Sequence, residues 1–254
     1  MTNPSTSELY DGESPSWART EPVLLSDYTA RPFILETVSP VDGARVLDLG
    51  CGEGYVSRQL ATQAPARLLS VDISSGMIDL ARAAEEDAPL GIDYRVASAT
   101  ELDLDEEFDL VLAVFLFNYL TCDEMGAVLE KVHRHLAPGG RFLFTAPHPS
   151  FPFLDRPAEP PFFFDTEGLD YFSARDHQLE GRIWRRDGES VPVRCVHKPM
   201  DEYFRALESA GFTAAPRVTE LSVTPEHLEL DSKFFGPLRG LPLHVAFEVS
   251  RASD

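Results

Sequence analysis

Glycine takes every second place from Gly50 to Gly54 in RVLDLGCGEGYVSRQL (residues 45–60), with Asp48 just before the run and Glu53 inside it. A backbone without side chains lets a ligand come close and adopts angles that other residues resist. Asp72 follows 24 positions after Asp48, near the end of a second apolar run, RLLSVDI. A carboxylate there can accept both hydroxyls of a ribose, so loop and acid together indicate a nucleoside-containing ligand. The alternative is a turn that serves only helix–strand packing. The G-x-G-x-G spacing departs from the G-x-G-x-x-G of dinucleotide sites. A pyrophosphate at the helix start would meet the charges of Asp48 and Glu53, whereas a positively charged ligand would be favoured.

Such a loop needs a strand before it and a helix after it. ARVLDL, RLLSVDI, IDYRVA, FDLVLAVFLF and GRFLFTA read as five strands. Helices are expected over 54–62, over SSGMIDLARAAEE with Ser74 or Ser75 as N-cap, and over CDEMGAVLEKVHRHL, stopped by Pro138 and Gly139. This alternation predicts a parallel sheet with helices on both faces. HPSFPFLDRPAEPPFFFDTEGLDYF breaks it with repeated prolines and dense aromatics, and has neither helical nor strand period. A stretch of that length is an embedded subdomain or a functional loop. RIWRRDGESVPVRCV predicts two short strands about Asp187 and Gly188, and PMDEYFRALESAGF a helix. APRVTELSV and LPLHVAFEVS predict a long antiparallel hairpin. The expected organisation is a lid or helical segment over 1–40, a core over 41–147 and 199–254, and a cap over 148–198.

VLDLGCGEG, SVDIS, FDLVLAVFLFNYL and LAPGGRFLFTAPHP resemble the successive motifs of the class I S-adenosylmethionine-dependent methyltransferases. More narrowly, they resemble the small bacterial members related to the ubiquinone-biosynthesis type. VHKPMDEYFRALESAGF is similar to a segment many of these carry after a variable cap. The resemblance implies a Rossmann-like, doubly wound α/β fold: a mostly parallel seven-stranded sheet, a C-terminal antiparallel hairpin and a cap inserted after the fifth strand. It implies S-adenosylmethionine as cofactor and S-adenosylhomocysteine as product. Gly50, Cys51 and Gly52 would border the methionine part, and Asp48 would support its amino group. Asp72 would bind the ribose hydroxyls, with Ile73 and Met77 on the adenine and Ser98 and Ala99 at its edge; relatives often have an acid where Ser98 stands. Val114 would hold the ammonium through its carbonyl, beside Phe115. Tyr10, Trp17, and above all Tyr28 and Arg31, would form a lid.

Methyl transfer is an in-line displacement from an activated leaving group, and proximity and desolvation can supply most of the rate. A general base matters only when the acceptor must lose a proton, and is then worth ~10²–10⁴-fold. His148, directly after the fifth strand, either takes that proton or caps a turn. His197, ahead of the helix at Pro199, is a second candidate or a helix-entry contact. Asp165, among aromatics, would be a base if burial raised its pKa, or else a turn former. Phe151, Phe153, Phe162–Phe164 and Phe172 either line an apolar acceptor pocket or form the core of the cap.

With 22 basic and 42 acidic residues, the chain carries a formal net charge of −20, which opposes nucleic acid and anionic lipid as partners. No run approaches the ~20 apolar residues of a membrane span, and the N-terminus has no secretory pattern. Cys51, Cys122 and Cys195 lack metal-ligand spacing and indicate a reduced, cytoplasmic setting. The expectation is a cytoplasmic, metal-free monomer or homodimer. It would transfer methyl to an oxygen or nitrogen of a small-molecule acceptor in bacterial secondary metabolism. The alternatives are a protein that binds S-adenosylmethionine without transfer, or an NAD(P)-dependent oxidoreductase, whose glycine spacing and Tyr–Lys pair are missing.

Overall fold

The computed structural model describes Trp17, residues 21–154, Pro160 and residues 162–253. Tyr10, residues 155–159 and the Phe162 side chain lie outside what is described. The strands are β1 (Arg45–Leu49), β2 (Arg67–Asp72), β3 (Asp93–Val96), β4 (Phe108–Val114), β5 (Leu136–Pro147), β6 (Phe162–Phe164), β7 (Gln178–Trp184), β8 (Ser190–Val196), β9 (Arg217–Leu221) and β10 (His244–Ser250). The helices are α1 (Leu25–Thr29), α2 (Arg31–Val38), α3 (Tyr55–Ala61), α4 (Ser75–Asp87), α5 (Cys122–His135), α6 (Met200–Ser209), α7 (Pro225–Leu230) and α8 (Ser232–Phe235).

Seven strands form one sheet in the order β3-β2-β1-β4-β5-β10-β9. The first five are parallel, and β10 runs antiparallel between β5 and β9. Continuous apolar runs such as RVLDL and FDLVLAV suit strands covered on both faces. On one face, Leu129 and Val132 of α5 and Tyr203 and Leu207 of α6 pack on Phe142, Phe144 and Phe247. On the other, Ile34, Leu60 and Ile78 of α2, α3 and α4 pack on Val46, Leu112 and Leu143. Burial of each large side chain stabilises by ~1.5–3 kcal/mol. Ser74 caps α4 by accepting the Met77 N–H at 3.2 Å, and Thr121 and Glu124 form a capping box on α5.

Several boundaries differ from the sequence reading, each for a local reason. β4 stops at Val114 because Phe115 takes φ 58° and turns the chain aside. β5 starts at Leu136, ahead of Pro138 and Gly139, with a register shift against β4 that accommodates them. The aromatic run contributes β6, which owes its extension to pairing with β7 rather than to any alternation of its own. β9 and β10 do pair, but α7 and α8 intervene, so the connection is no tight hairpin.

The separate sheet β6-β7-β8 has its own core. Phe151, Phe164, Leu179 and Val193 are buried there together with Leu25 of α1 and Phe235 of α8. Phe151 and Phe164 are therefore core residues of the inserted segment, while Phe172 is 75% exposed.

Candidate active site

The three alternate glycines turn out to be bare for three different reasons. All have positive φ, at 71°, 57° and 87° for Gly50, Gly52 and Gly54. A methyl group on Gly50 would press on Leu116 at 3.1 Å. One on Gly54 would overlap the Tyr94 hydroxyl beneath the loop. At Gly52 a methyl group would meet no protein atom within 4 Å. Only at Gly52, of the three, does the missing side chain open onto free space.

That space is a cavity of about 880 Å³ at the carboxyl ends of β1, β2 and β4, where open α/β sheets take their ligands. Asp48, Gly50, Cys51, Gly52 and Asp72 line one side. Ile73, Met77, Ser98 and Ala99 line a second, where Ile73 is 49% exposed, an apolar surface with no protein cover. Val114 and Phe115 form the floor, and Arg31 and Trp17 approach from the N-terminal segment. Among the described lining residues Arg31 is the single cation, against Asp48, Glu53, Asp72, Glu101 and Glu124.

Asp48 is buried. Its Oδ2 accepts the Ser57 hydroxyl at 2.6 Å, and Ser57 in turn accepts the Ser70 hydroxyl at 2.9 Å. Its Oδ1 is buried with no hydrogen-bond partner. Burial, opposed by the Ser57 bond and assisted by the charges of Asp72 and Glu53, raises the Asp48 carboxyl to about 6. A buried acceptor left without a donor is costly, and a cation in the cavity would relieve it. Asp72 holds the Gly52 N–H on Oδ2 at 2.8 Å and the Ser74 N–H on Oδ1 at 2.9 Å. Each oxygen keeps a lone pair for a ligand hydroxyl. Burial also raises the Asp72 carboxyl, against these two bonds.

Arg31 is aimed by Asp27, whose Oδ1 lies 2.9 Å from Nη1. The guanidinium sits 5.5 Å from the Phe115 ring centroid and 5.9 Å from that of Tyr55. Tyr28 stands apart from the cavity wall: its hydroxyl donates to the Pro22 carbonyl and accepts from Arg186 Nη1 at 2.8 Å. The sequence reading passed over Val96, Leu116, Tyr119 and Leu120, which also line the cavity. The rule that ligands sit beyond the carboxyl ends of the strands would have pointed to them.

The three candidate bases lie off this wall. His148 is buried, with Nε2 2.7 Å from Glu220 Oε1 on β9, and its Nδ1 accepts the Ser150 N–H at 3.2 Å. His197 is buried against Phe153 and Tyr171, with Nε2 2.8 Å from the Tyr171 carbonyl; burial lowers it to about 4. Asp165 is exposed and accepts the Glu167 N–H at 2.9 Å, so the burial that would make it a base is missing. His148→Ala is expected to remove a partly buried bond, to the largely exposed Glu220, worth ~0.5–1.5 kcal/mol. That lowers the thermal midpoint by ~2–4 °C per kcal/mol. Calorimetric affinity for S-adenosylhomocysteine should stay within about twofold; a larger loss would put the ring in the cofactor's path.

The fold and this cavity define an α/β enzyme that binds a cationic nucleoside cofactor. A family model described as "Methyltransferase domain" matches residues 46–140. The chain is 28% identical over 211 residues to N-demethylindolmycin N-methyltransferase of Streptomyces griseus, covering 78% of each chain. It is 35% identical over 98 residues to ubiquinone biosynthesis O-methyltransferase of Nitrobacter winogradskyi, covering 39% of this chain and 36% of the relative. A crystal structure of an S-adenosylmethionine-dependent methyltransferase from Mesorhizobium loti matches at TM-score 0.66 and 26% identity, covering 89% of this chain and 99% of that one. Residues 46–140 match a methyltransferase domain, and the chain is similar along most of its length to S-adenosylmethionine-dependent methyltransferases. Among the described residues no helix is long and apolar enough to cross a membrane.

Proposed function

We propose that this enzyme methylates an oxygen or nitrogen of a small-molecule acceptor in bacterial secondary metabolism, with residues 148–198 as the acceptor cap. The observation that carries the reading is the orphaned Asp48 Oδ1 in the wall of an acidic cavity onto which Gly52 also opens. The activity of the Streptomyces relative supports the acceptor class. When bound, the cofactor supplies an activated methyl on a sulfonium, which leaves as a neutral thioether.

The residues of the chain do the rest. Asp48 accepts from the amino group of the cofactor, and the Val114 carbonyl shares that task. Asp72 takes the ribose hydroxyls with the lone pairs that Gly52 and Ser74 leave open. Ile73 and Met77 cover the adenine, and Ser98 and Ala99 meet its edge. Arg31 closes the N-terminal side above Phe115. Rate comes from proximity and exclusion of water. The positions of His148, His197 and Asp165 off the wall favour an acceptor that arrives without needing a protein base.

The test is calorimetric titration with S-adenosylhomocysteine, followed by its release from S-adenosylmethionine over a panel of amines, phenols and carboxylic acids. Binding with no release on any class would overturn the transfer reading.

A pH dependence follows. Asp48 must be ionised to hold an ammonium, and its pKa before binding is about 6. Affinity is therefore full above that value and falls as pH drops through it. The loss is about tenfold between pH 7 and pH 5. Asp48→Asn should bind more weakly and flatten the profile; an unchanged profile would place the titration elsewhere.

A further inference from the structure

Lys198 is 1% exposed, between β8 and α6. Its Nζ donates to the carbonyls of Val196 at 3.1 Å, Phe117 at 2.9 Å and Leu120. An ammonium has three N–H groups, and three backbone oxygens take them. Taking such a charge out of water costs several kcal/mol unless its donors are satisfied, so a mere space-filler would be apolar here. Two of the carbonyls belong to the 3-10 turn Phe117–Tyr119 after β4 and the residue that follows it. That turn presents Tyr119 and Leu120 to the cavity. The third carbonyl ends β8 of the inserted sheet.

A second link runs alongside. Asp176 Oδ1 accepts the Cys122 N–H at 2.7 Å, and the Asp176 N–H donates to the His197 carbonyl at 2.8 Å. The Tyr171 hydroxyl accepts the Met200 N–H at 2.7 Å, and His197 Nε2 meets the Tyr171 carbonyl. Residues 171–177 are thereby strapped to 197–200, and both to the start of α5.

We propose that Lys198 is a positioning residue that clasps the wall segment Leu116–Leu120 to the inserted sheet and so sets the shape of the acceptor end of the cavity. The acceptor's place there rests on the proposed function; the clasp itself does not. The carboxylates and the bare glycine given to the cofactor, Asp48 on β1, Asp72 on β2 and Gly52 in the loop after β1, lie outside the clasped segment, so the clasp acts on the wall beyond Val114.

Hydrogen–deuterium exchange on the full chain, with and without saturating S-adenosylhomocysteine, tests this in wild type, Lys198→Met, Lys198→Arg and Asp176→Gly. Asp176 has φ 63° and is exposed, so glycine keeps the backbone and removes the acceptor. Lys198→Met should accelerate exchange at 116–122 and 171–178 together by at least about tenfold. Peptides from 45–60 and 67–84 should be unchanged, and S-adenosylhomocysteine affinity should stay within about threefold. Arginine, which keeps the charge and the donors, should restore much of the protection. Asp176→Gly should open the start of α5. Wild-type exchange at 116–122 in Lys198→Met, or a rise spread evenly over the whole sheet, would overturn the proposal. If the methionine variant does not fold, Lys198→Gln, which lacks the charge and cannot serve all three carbonyls, takes its place, and wild-type exchange at 116–122 in that variant overturns the proposal. Failure of the wild type to bind S-adenosylhomocysteine would sink the cofactor reading, and the exchange without ligand would still decide on the clasp.

Discussion

Asp72→Ala should weaken S-adenosylhomocysteine binding by at least about thirtyfold, the equivalent of ~2 kcal/mol. Two losses combine. The hydroxyl bonds to a charged acceptor go, each worth ~1.5–3 kcal/mol. The Gly52 and Ser74 N–H groups also lose the carboxylate that fixes them, so the loop that receives the ligand is no longer held in place. Asp72→Asn should do little better, because its amide nitrogen presents a donor to one of those two N–H groups. Titration calorimetry of the three proteins decides: equal affinity across them would remove Asp72 from ribose recognition. Thermal unfolding without ligand should show a lower midpoint for the asparagine variant too, since one of the two N–H groups loses its acceptor.

Gly52→Val should cut binding by more than about a hundredfold while the protein still folds. No protein atom lies within 4 Å of a Cβ at Gly52, so the valine side chain starts out into the ligand's space. The left-handed backbone, φ 57°, costs a further ~1–2 kcal/mol in stability. Gly54→Ala should show the reverse. Its methyl group overlaps Tyr94, so the thermal midpoint falls while the protein that remains folded still binds. Tyr94→Phe in the Gly54→Ala background removes the nearest atom and should recover part of the midpoint. A Gly52→Val protein with wild-type affinity would mean that the ligand does not approach the backbone there.

The contrast between Gly52 and Gly54 marks what was readable in the residues. Spacing along the chain identified the bend, the acid ending β2 and the alternation of strand and helix, because those follow from local chemistry. It assigned all three glycines to one cause, since Tyr94 and Leu116 reach the loop from β3 and from beyond β4, and only the folded arrangement brings them there. His148 failed as a wall residue for a similar reason. It does follow β5, but β9 offers Glu220, and the ring turns to that partner. Asp165 stands among aromatics in the chain, yet its neighbour Phe164 buries itself in the core of the inserted sheet and leaves the carboxylate exposed. Lys198 carried no visible signal, because two of its three partners are backbone carbonyls far away in the chain. The helices α7 and α8 were hidden by the pairing of β9 with β10, which reads as a hairpin whatever lies between.

The place of β10 has a bearing on biogenesis. It comes last among the strands in chain order but sits between β5 and β9, with Val245 and Phe247 in the core. While the ribosome is still adding residues 244–250, β9 has no neighbour in the main sheet and β5 presents an open edge, a hazard for association between nascent chains. Release from that hazard comes only once translation has passed Ser250. Until then a growing polypeptide could assemble the cofactor side of the sheet, β1 to β4, but not close the domain.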